Sequence, residues 1–461
     1  MCDVVILIDI GSTFTKVTAV DIKNECIVGN ARAFTTVDTD INEGLNKALN
    51  SLKQSIGEFN IVKRLAASSA AGGLKMISIG LVPELTVKAA KMAALSAGAK
   101  LMQTYSFELC EDEVDEITRI KPDIILLSGG TDGGNAEVIL KNAETLSKIP
   151  LSFPVVIAGN KKMSKKCAEV LNNSGKKVTV TENVMPEFNV LNILPAQNAI
   201  RDVFLERIIR AKGITHIESL IEGIIMPTPS AVLRAASLLS RGTKTEKGIG
   251  DLLLVDMGGA TTDVYSICSG KPHMDGVIMK GLPEPFEKRT VEGDLGARYT
   301  AENVVDAYTI DEFSQKSGLS IEKIKNLIEK VKHNYSIIST DGDEAIFDKN
   351  IAGCSVEMAV MRHAGTIESN YTTNGLVFVQ SGKDLTDVKH IIGTGGPIIN
   401  ASCPKDLLKF AEFSEENSES LRPKKPNYYI DKKYIYAAMG LLSSEFPDVA
   451  LRILKKETIE I

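Results

Sequence analysis

Short apolar, β-branched runs alternate with stretches whose apolar residues recur every three or four positions over nearly all of the 461 residues. The first kind of run buries a strand on both faces and the second gives a helix one apolar stripe, so the pattern is that of α/β domains. Strands are expected at 3–9, 14–21, 26–36, 63–68, 123–128, 153–158 and 177–181, and helices near 42–57, 84–100, 135–147 and 164–173. A further helix should run from Pro195 to about Gly213, with Ile200, Phe204, Ile208 and Ile209 on one stripe. The polar, Gly-bearing stretch "SRGTKTEKGIG" at 240–250 reads as a linker, which divides the chain into 1–245, carrying an inserted α/β segment, and 246–461.

Beyond the linker a buried strand is expected at 251–256. The stretch 276–300, rich in turn residues, reads as a loop or substrate-facing segment. Helices resume at 300–307, 311–316 and 320–332, and a strand pair is expected at 375–380 and 388–393. The helix at 433–444 carries Ala437, Ala438 and Gly440 close together, small enough for another helix to come near.

Two stretches share one plan. "LIDIGSTFTKVTAV" (7–20) and "LLVDMGGATTDVYSI" (253–267) each run apolar residues into an aspartate, turn on small polar residues and resume as strand. Each reads as a β-hairpin whose tip is too small and polar to serve packing. "PDIILLSGGTDGG" (122–134) follows the first and "VKHIIGTGGPI" (388–398) the second, which suggests two similar halves with a cleft between them.

Such a tip suits a phosphate with bound magnesium. Gly11, Gly258 and Gly259 would let backbone N–H groups approach without a Cβ in the way, and Ser12, Thr13, Thr261 and Thr262 add hydroxyl donors. Thr15 and Ala260 complete the turns. Asp9 and Asp256 at the strand ends would hold the waters around Mg2+, an ion that keeps several waters and takes one or two carboxylates. Lys16 would offset γ-phosphate charge. Gly393, Thr394, Gly395 and Gly396, after a buried strand, suit a backbone passing under adenine or ribose. Asp9, Asp256 and Thr262 are the candidate catalytic residues, with Asp263 another neighbour of suitable type. For either loop alone, a tight turn without a ligand is the competing reading; "SGGTDGG" at 128–134 lacks the Gly-Lys-Ser/Thr of a P-loop and reads as a helix-entry turn. Glu292 and Asp294 read as a solvated loop rather than a water-orienting pair.

Composition removes several classes. The 53 basic and 59 acidic residues are mixed along the chain, net −6, with no basic stripe for nucleic acid. The seven cysteines form no C-x-x-C pair, which points to reduced thiols and away from zinc or iron–sulfur ligation. The five histidines are isolated, and neither G-x-S-x-G nor H-E-x-x-H occurs. With a strand directly after Met1-Cys2-Asp3 and no apolar run of the roughly 18 residues a bilayer needs, a cytoplasmic protein without membrane contact is expected.

The residues resemble the actin, Hsp70 chaperone and sugar-kinase superfamily. "DIGSTFTK" resembles its first phosphate motif, "DMGGATTD" its second and "GTGG" its adenosine motif, with the small-residue helix at 433–444 like the one that packs between the domains. Over essentially the full length, and most closely at 66–100, 126–135 and 189–202, the chain is similar to the MutL-type accessory proteins of coenzyme B12-dependent glutamate (methylaspartate) mutase. The resemblance implies two actin-like (RNase H-like) ATPase domains facing a nucleotide cleft, with ATP and Mg2+ as cofactors. It also implies an ATP-driven reactivating chaperone whose partners are the mutase subunits, and leaves open whether it forms a homodimer. A small-molecule kinase of the same fold and a non-catalytic nucleotide-bound assembly scaffold are the alternatives. No sugar-kinase-type catalytic aspartate can be placed, and the cysteine cluster of hydroxyacyl-CoA dehydratase activators is missing.

Overall fold

Val4 to Ile8 form an unbroken apolar run, and all five side chains are buried, as only a central strand allows. The computed structural model describes residues 2–11, 14–35, 41–69, 74–211, 224–333, 341–373 and 375–461. Two compact units emerge: Met1–Leu238 with Gly281–Pro283 and Ile435–Ile453, and Leu239–Lys280 with Glu284–Tyr434 and Leu454–Ile461.

In the first unit β1 (Cys2–Ile10), β2 (Phe14–Asp21) and β3 (Cys26–Phe34) form an antiparallel meander, and β4 (Phe59–Ser68) lies parallel to β1 on its other side. The chain then leaves this sheet for a second, made of β5 (Lys75–Gly80), β6 (Lys100–Ser106), β7 (Ile124–Leu127), β8 (Val155–Ile157) and β9 (Val178–Val180). All its pairings are parallel, in the order β6-β5-β7-β8-β9. It returns through the helix Ile193–Ala211 to β10 (Ile224–Pro227), which completes the first sheet as β3-β2-β1-β4-β10.

The second unit repeats that first sheet. β11 (Leu252–Met257) and β12 (Thr262–Ile267) form a hairpin. β13 (Ile278–Lys280) belongs elsewhere, whereas β14 (Glu287–Glu292) continues the meander antiparallel to β12. β15 (Thr366–Thr372) and β16 (Gly375–Ser381) pair with each other, and β16 also pairs with β13, in a small separate sheet. β17 (His390–Thr394) and β18 (Asn427–Ile430) add in parallel to β11, and the short β19 (Ile459–Glu460) closes the edge: β14-β12-β11-β17-β18-β19. Numbered from its own first strand, each unit's main sheet reads 3-2-1-4-5 with the second strand antiparallel, the actin-like (RNase H-like) α/β order.

Several expectations are corrected. The 276–300 stretch is not simply loop, because β14 pairs along its whole length with β12. The strands at 375–380 and 388–393 both exist but do not pair: β16 takes β15 and β13, while β17 takes β11 and β18. β7, read as the counterpart of β17, lies in the parallel sheet of the insert; the topological counterpart is β4. The long helix Gly342–His363 escaped the pattern because Ile351, Ala352, Cys354, Val356, Ala359 and Val360 are buried all round it, leaving no single stripe. The helix Tyr436–Leu442 is entirely buried within the first unit, and Gly440 admits the backbone of the helix Thr228–Arg241: a Cβ there would lie 1.9 Å from the Ala231 carbonyl oxygen.

Candidate functional site

In each hairpin the strand-end aspartate is followed two residues later by a glycine whose amide bonds back across the turn. Gly11 donates to the Phe14 carbonyl at 3.0 Å, and Gly258 donates to the Thr261 carbonyl at 2.8 Å. Asp9 stands opposite Lys16 in one register and Asp256 opposite Asp263 in the other. One turn geometry is thus built twice, at the carboxyl end of the central strand of each main sheet.

In the first unit Asp9 is buried, and its Oδ1 accepts a hydrogen bond from the Thr228 hydroxyl at 2.6 Å. Lys16 places Nζ 3.8 Å from Asp9 Oδ2. Thr15 is buried on the other face, within 3.0 Å of the Thr35 hydroxyl, so its side chain serves the sheet. Ser12 and Thr13 lie outside the described residues.

In the second unit Asp256 is half-buried with the Tyr434 hydroxyl 3.5 Å from Oδ1. The segment 296–300 closes against the turn: Ala297 donates to the Gly258 carbonyl, and Arg298 and Tyr299 both donate to that of Gly259. Across a trans peptide the N–H points opposite to the C=O, so the Gly259 and Ala260 amides point away from this strap. Neither has a partner among the described residues. Gly259 also packs under the Tyr299 ring, 3.1 Å from where a Cβ would stand.

Thr261 is half-buried, but Thr262, expected to act on a nucleotide, is fully buried and donates its hydroxyl to the Leu295 carbonyl. Asp263 is gripped by Arg289 through Nε at 2.8 Å and one terminal nitrogen at 2.6 Å. Burial by itself would depress the Arg289 guanidinium; Asp263 and Tyr265 outweigh it and hold the pKa above its ordinary value.

The GTGG stretch reaches the same turn. Gly395 adopts φ +91°, and a Cβ on it would fall 2.0 Å from the Met257 carbonyl oxygen, so only glycine fits between β17 and the end of β11. Gly393 and Thr394 are buried in β17, with the Thr394 hydroxyl donating to Asp431 at 3.1 Å, and Gly396 is exposed. Within this unit the structure therefore gathers Asp256, Gly258, Gly259, Ala260, Thr261 and Gly393 to Gly396 into one edge.

Sequence reasoning missed Thr228, Asp431, Tyr434 and the 296–300 strap. Asp431 did carry a signal, since "NYYID" repeats the apolar strand ending in aspartate. Glu292 and Asp294, read as a solvated loop, are partly exposed but share a cation: Arg362 of the helix Gly342–His363 bridges them at 2.8 and 2.9 Å. Among the described residues no cluster of three or more His, Cys, Asp or Glu could hold a metal by itself. Within the second unit Asp256 stands in the same turn as the Gly259 and Ala260 amides, a donor set that suits a hydrated magnesium ion beside an anion.

These features define a protein with two actin-like domains, each with a phosphate-type hairpin. The description "MutL protein" matches residues 5–458, and "Protein MutL" of Clostridium tetanomorphum is 47% identical over 461 residues, covering 100% of both chains. The chain belongs to the MutL protein family. Among solved structures, gluconate kinase from Lactobacillus acidophilus is 10% identical with a TM-score of 0.37, covering 100% of this chain and 93% of that one. Plasmodium falciparum glycerol kinase with ADP, also 10% identical, gives 0.36 with coverage of 100% and 94%. At these scores neither bears on function, and the fold rests on the two sheet orders. Among the described residues no helix is long and apolar enough to cross a membrane.

Proposed function

We propose that this protein binds Mg-ATP through its two hairpin turns and uses binding and hydrolysis to drive a conformational switch. In this reading it serves adenosylcobalamin-dependent glutamate (methylaspartate) mutase as a reactivating chaperone. The observation that carries the nucleotide part is the hairpin built twice, with Asp9 and Gly11 in one sheet and Asp256 and Gly258 in the other.

Asp9 and Asp256 would hold the water shell of magnesium. The amides of Gly259 and Ala260 would receive phosphate oxygens, Lys16 would balance their charge, and Gly393 to Gly396 would lie under the nucleoside. When bound, magnesium would supply charge neutralisation at the phosphates. Thr262 acts by position, tying the turn to Leu295. The partner comes from the family resemblance and rests on it alone.

The test is ATP turnover with magnesium, with and without mutase inactivated by its own cofactor chemistry. Stimulation by the mutase, with recovery of mutase activity on fresh adenosylcobalamin, is the expected result. Rapid phosphorylation of a metabolite would make it a kinase. Tight ATP binding with mutase support untouched by Asp9→Ala and Asp256→Ala would make it a scaffold, and no ATP binding at all would overturn the reading of both turns.

A further inference from the structure

The insert of the first unit is a doubly wound sheet in its own right. Renumbered from β5, its order β6-β5-β7-β8-β9 is 2-1-3-4-5. In such sheets ligands bind outside the carboxyl ends of the strands where the winding reverses, here between β5 and β7. The residues that follow β7 are "SGGTDGGN", 128–135, a motif that the nucleotide reading leaves unused.

This loop is held from one side. Gly129 and Gly130 have φ +147° and +68°, and a Cβ on Gly130 would collide with the Asn135 carbonyl oxygen at 2.0 Å. The Gly129 carbonyl accepts from the Asn160 amide at 3.1 Å, and the Gly130 carbonyl accepts from Asn183 Nδ2 at 3.0 Å. Asn160 and Asn183, both buried, follow β8 and β9 on one side of β7, whereas β5 lies on the other. With both carbonyls drawn to the β8 and β9 side, the next amides in each trans peptide, Gly130 and Thr131, turn toward the β5 end.

Neither amide has a partner among the described residues, and Gly130 is buried. A buried N–H without a partner is rare and signals an ion or water that completes it. The loop's carboxylate does not compete: Asp132 Oδ1 accepts from the Lys161 amide at 3.1 Å and from Asn183 at 3.0 Å, away from the crevice. The Gly259 and Ala260 amides in the second hairpin are freed in the same way, by carbonyls that are already bonded.

We propose that the crevice between the ends of β5 and β7 is a second ligand site, independent of the nucleotide reading, in which the Gly130 and Thr131 amides bind a tetrahedral oxyanion, the phosphate of a small phosphorylated molecule. Hydrogen–deuterium exchange of the full chain with inorganic phosphate is the direct test. Phosphate should slow exchange in peptides spanning 128–133; protection confined to 9–16 and 256–263 overturns the site. Equilibrium binding separates the two regions: Thr131→Pro, which removes one amide donor, should weaken phosphate at this site about tenfold or more. Gly259→Asp, which fills the second hairpin turn, should leave it unchanged. Binding lost with Gly259→Asp and kept with Thr131→Pro refutes the proposal. Ribose 5-phosphate binding more tightly than inorganic phosphate identifies an ester as the ligand, and equal binding identifies the free ion.

Discussion

The two main sheets share one strand order and one turn, yet they balance charge at that turn in different ways. In the first, Asp9 faces Lys16 across the hairpin, so the pair is close to neutral, and Thr228 adds a neutral donor. In the second, Asp256 faces Asp263, a like-charged cross-strand pair that disfavours the hairpin unless something offsets it. Arg289 on the neighbouring strand β14 does so, buried and bonded twice to Asp263. The third strand of the meander thus brings a buried cation onto the acidic pair in the second unit, whereas in the first it sets Arg32 opposite Lys16. A repeated backbone does not require repeated chemistry, and the two hairpins should respond differently to equivalent substitutions.

The largest expected difference follows from Arg289. Arg289→Met leaves Asp263 without its cation beside Asp256, and removal of one partner of a buried pair costs about 3–5 kcal/mol. A fall of that size in the unfolding free energy from urea titration, largely recovered in Arg289→Met with Asp263→Leu, is expected. Lys16→Met in the first unit should cost under about 1 kcal/mol, because Lys16 is partly exposed and 3.8 Å from its partner. Equal losses at the two sites would remove the contrast.

Lys383 has a pH signature. Its ammonium is buried, donating to the carbonyls of Pro285 at 2.9 Å and Phe286 at 2.7 Å, and burial pulls its pKa from 10.5 to about 8. Cys268, Glu284 and Asp251 hold it up, while Lys288 adds to the lowering. Between pH 8 and 10.5 the unfolded chain carries the proton that the folded chain has lost, so this group makes stability rise with pH, by about 3 kcal/mol in all. Buried acids pull the other way: Cys354 is pushed up to about 12 by burial and Tyr265 is also raised. The readout is therefore the difference in slope between wild type and Lys383→Met across pH 7–10 in urea titrations. Identical slopes would mean that Lys383 stays charged in the fold.

On the proposed Mg-ATP reading, Asp9→Asn and Asp256→Asn should each lower magnesium-dependent ATP turnover about 100-fold, the scale on which loss of one electrostatic contact to a reacting phosphate acts. The dependence on magnesium concentration should shift more for Asp256→Asn, since Asp256 is the more exposed carboxylate. Unchanged turnover in both would leave the hairpins as folding elements only.

The hairpins were legible because everything they need is local: an apolar run, an aspartate, small residues at the turn and a second β-rich run within some fifteen positions. The doubled sheet order was partly legible, through the matching turns. Long-range pairing was not. β7 ends in glycines as β17 does and drew the wrong match, whereas the true counterpart, β4, ends in Ala66, Ala67 and Ser68. The partners that tune the site, Thr228 for Asp9 and Arg289 for Asp263, come from segments whose own patterns mark only a helix start and an edge strand. Arg362, bridging Glu292 and Asp294, sits on the helix that has no single apolar stripe.

The smallest expected effect probes the turns most directly. Gly11 and Gly258 occupy equivalent positions and make the same bond, but a Cβ on Gly11 would lie 2.7 Å from the Phe14 carbonyl oxygen, against 3.4 Å from the Thr261 carbonyl oxygen for Gly258. The first distance forces the backbone to shift; the second is ordinary contact. Gly11→Ala should therefore destabilise by about 1–2 kcal/mol, and Gly258→Ala should fall within about 0.5 kcal/mol of wild type. Thermal unfolding of the two variants side by side checks this. If Gly258→Ala proves the more damaging, the second turn is the tighter of the two, and the strap at 296–300 rather than the hairpin sets its shape.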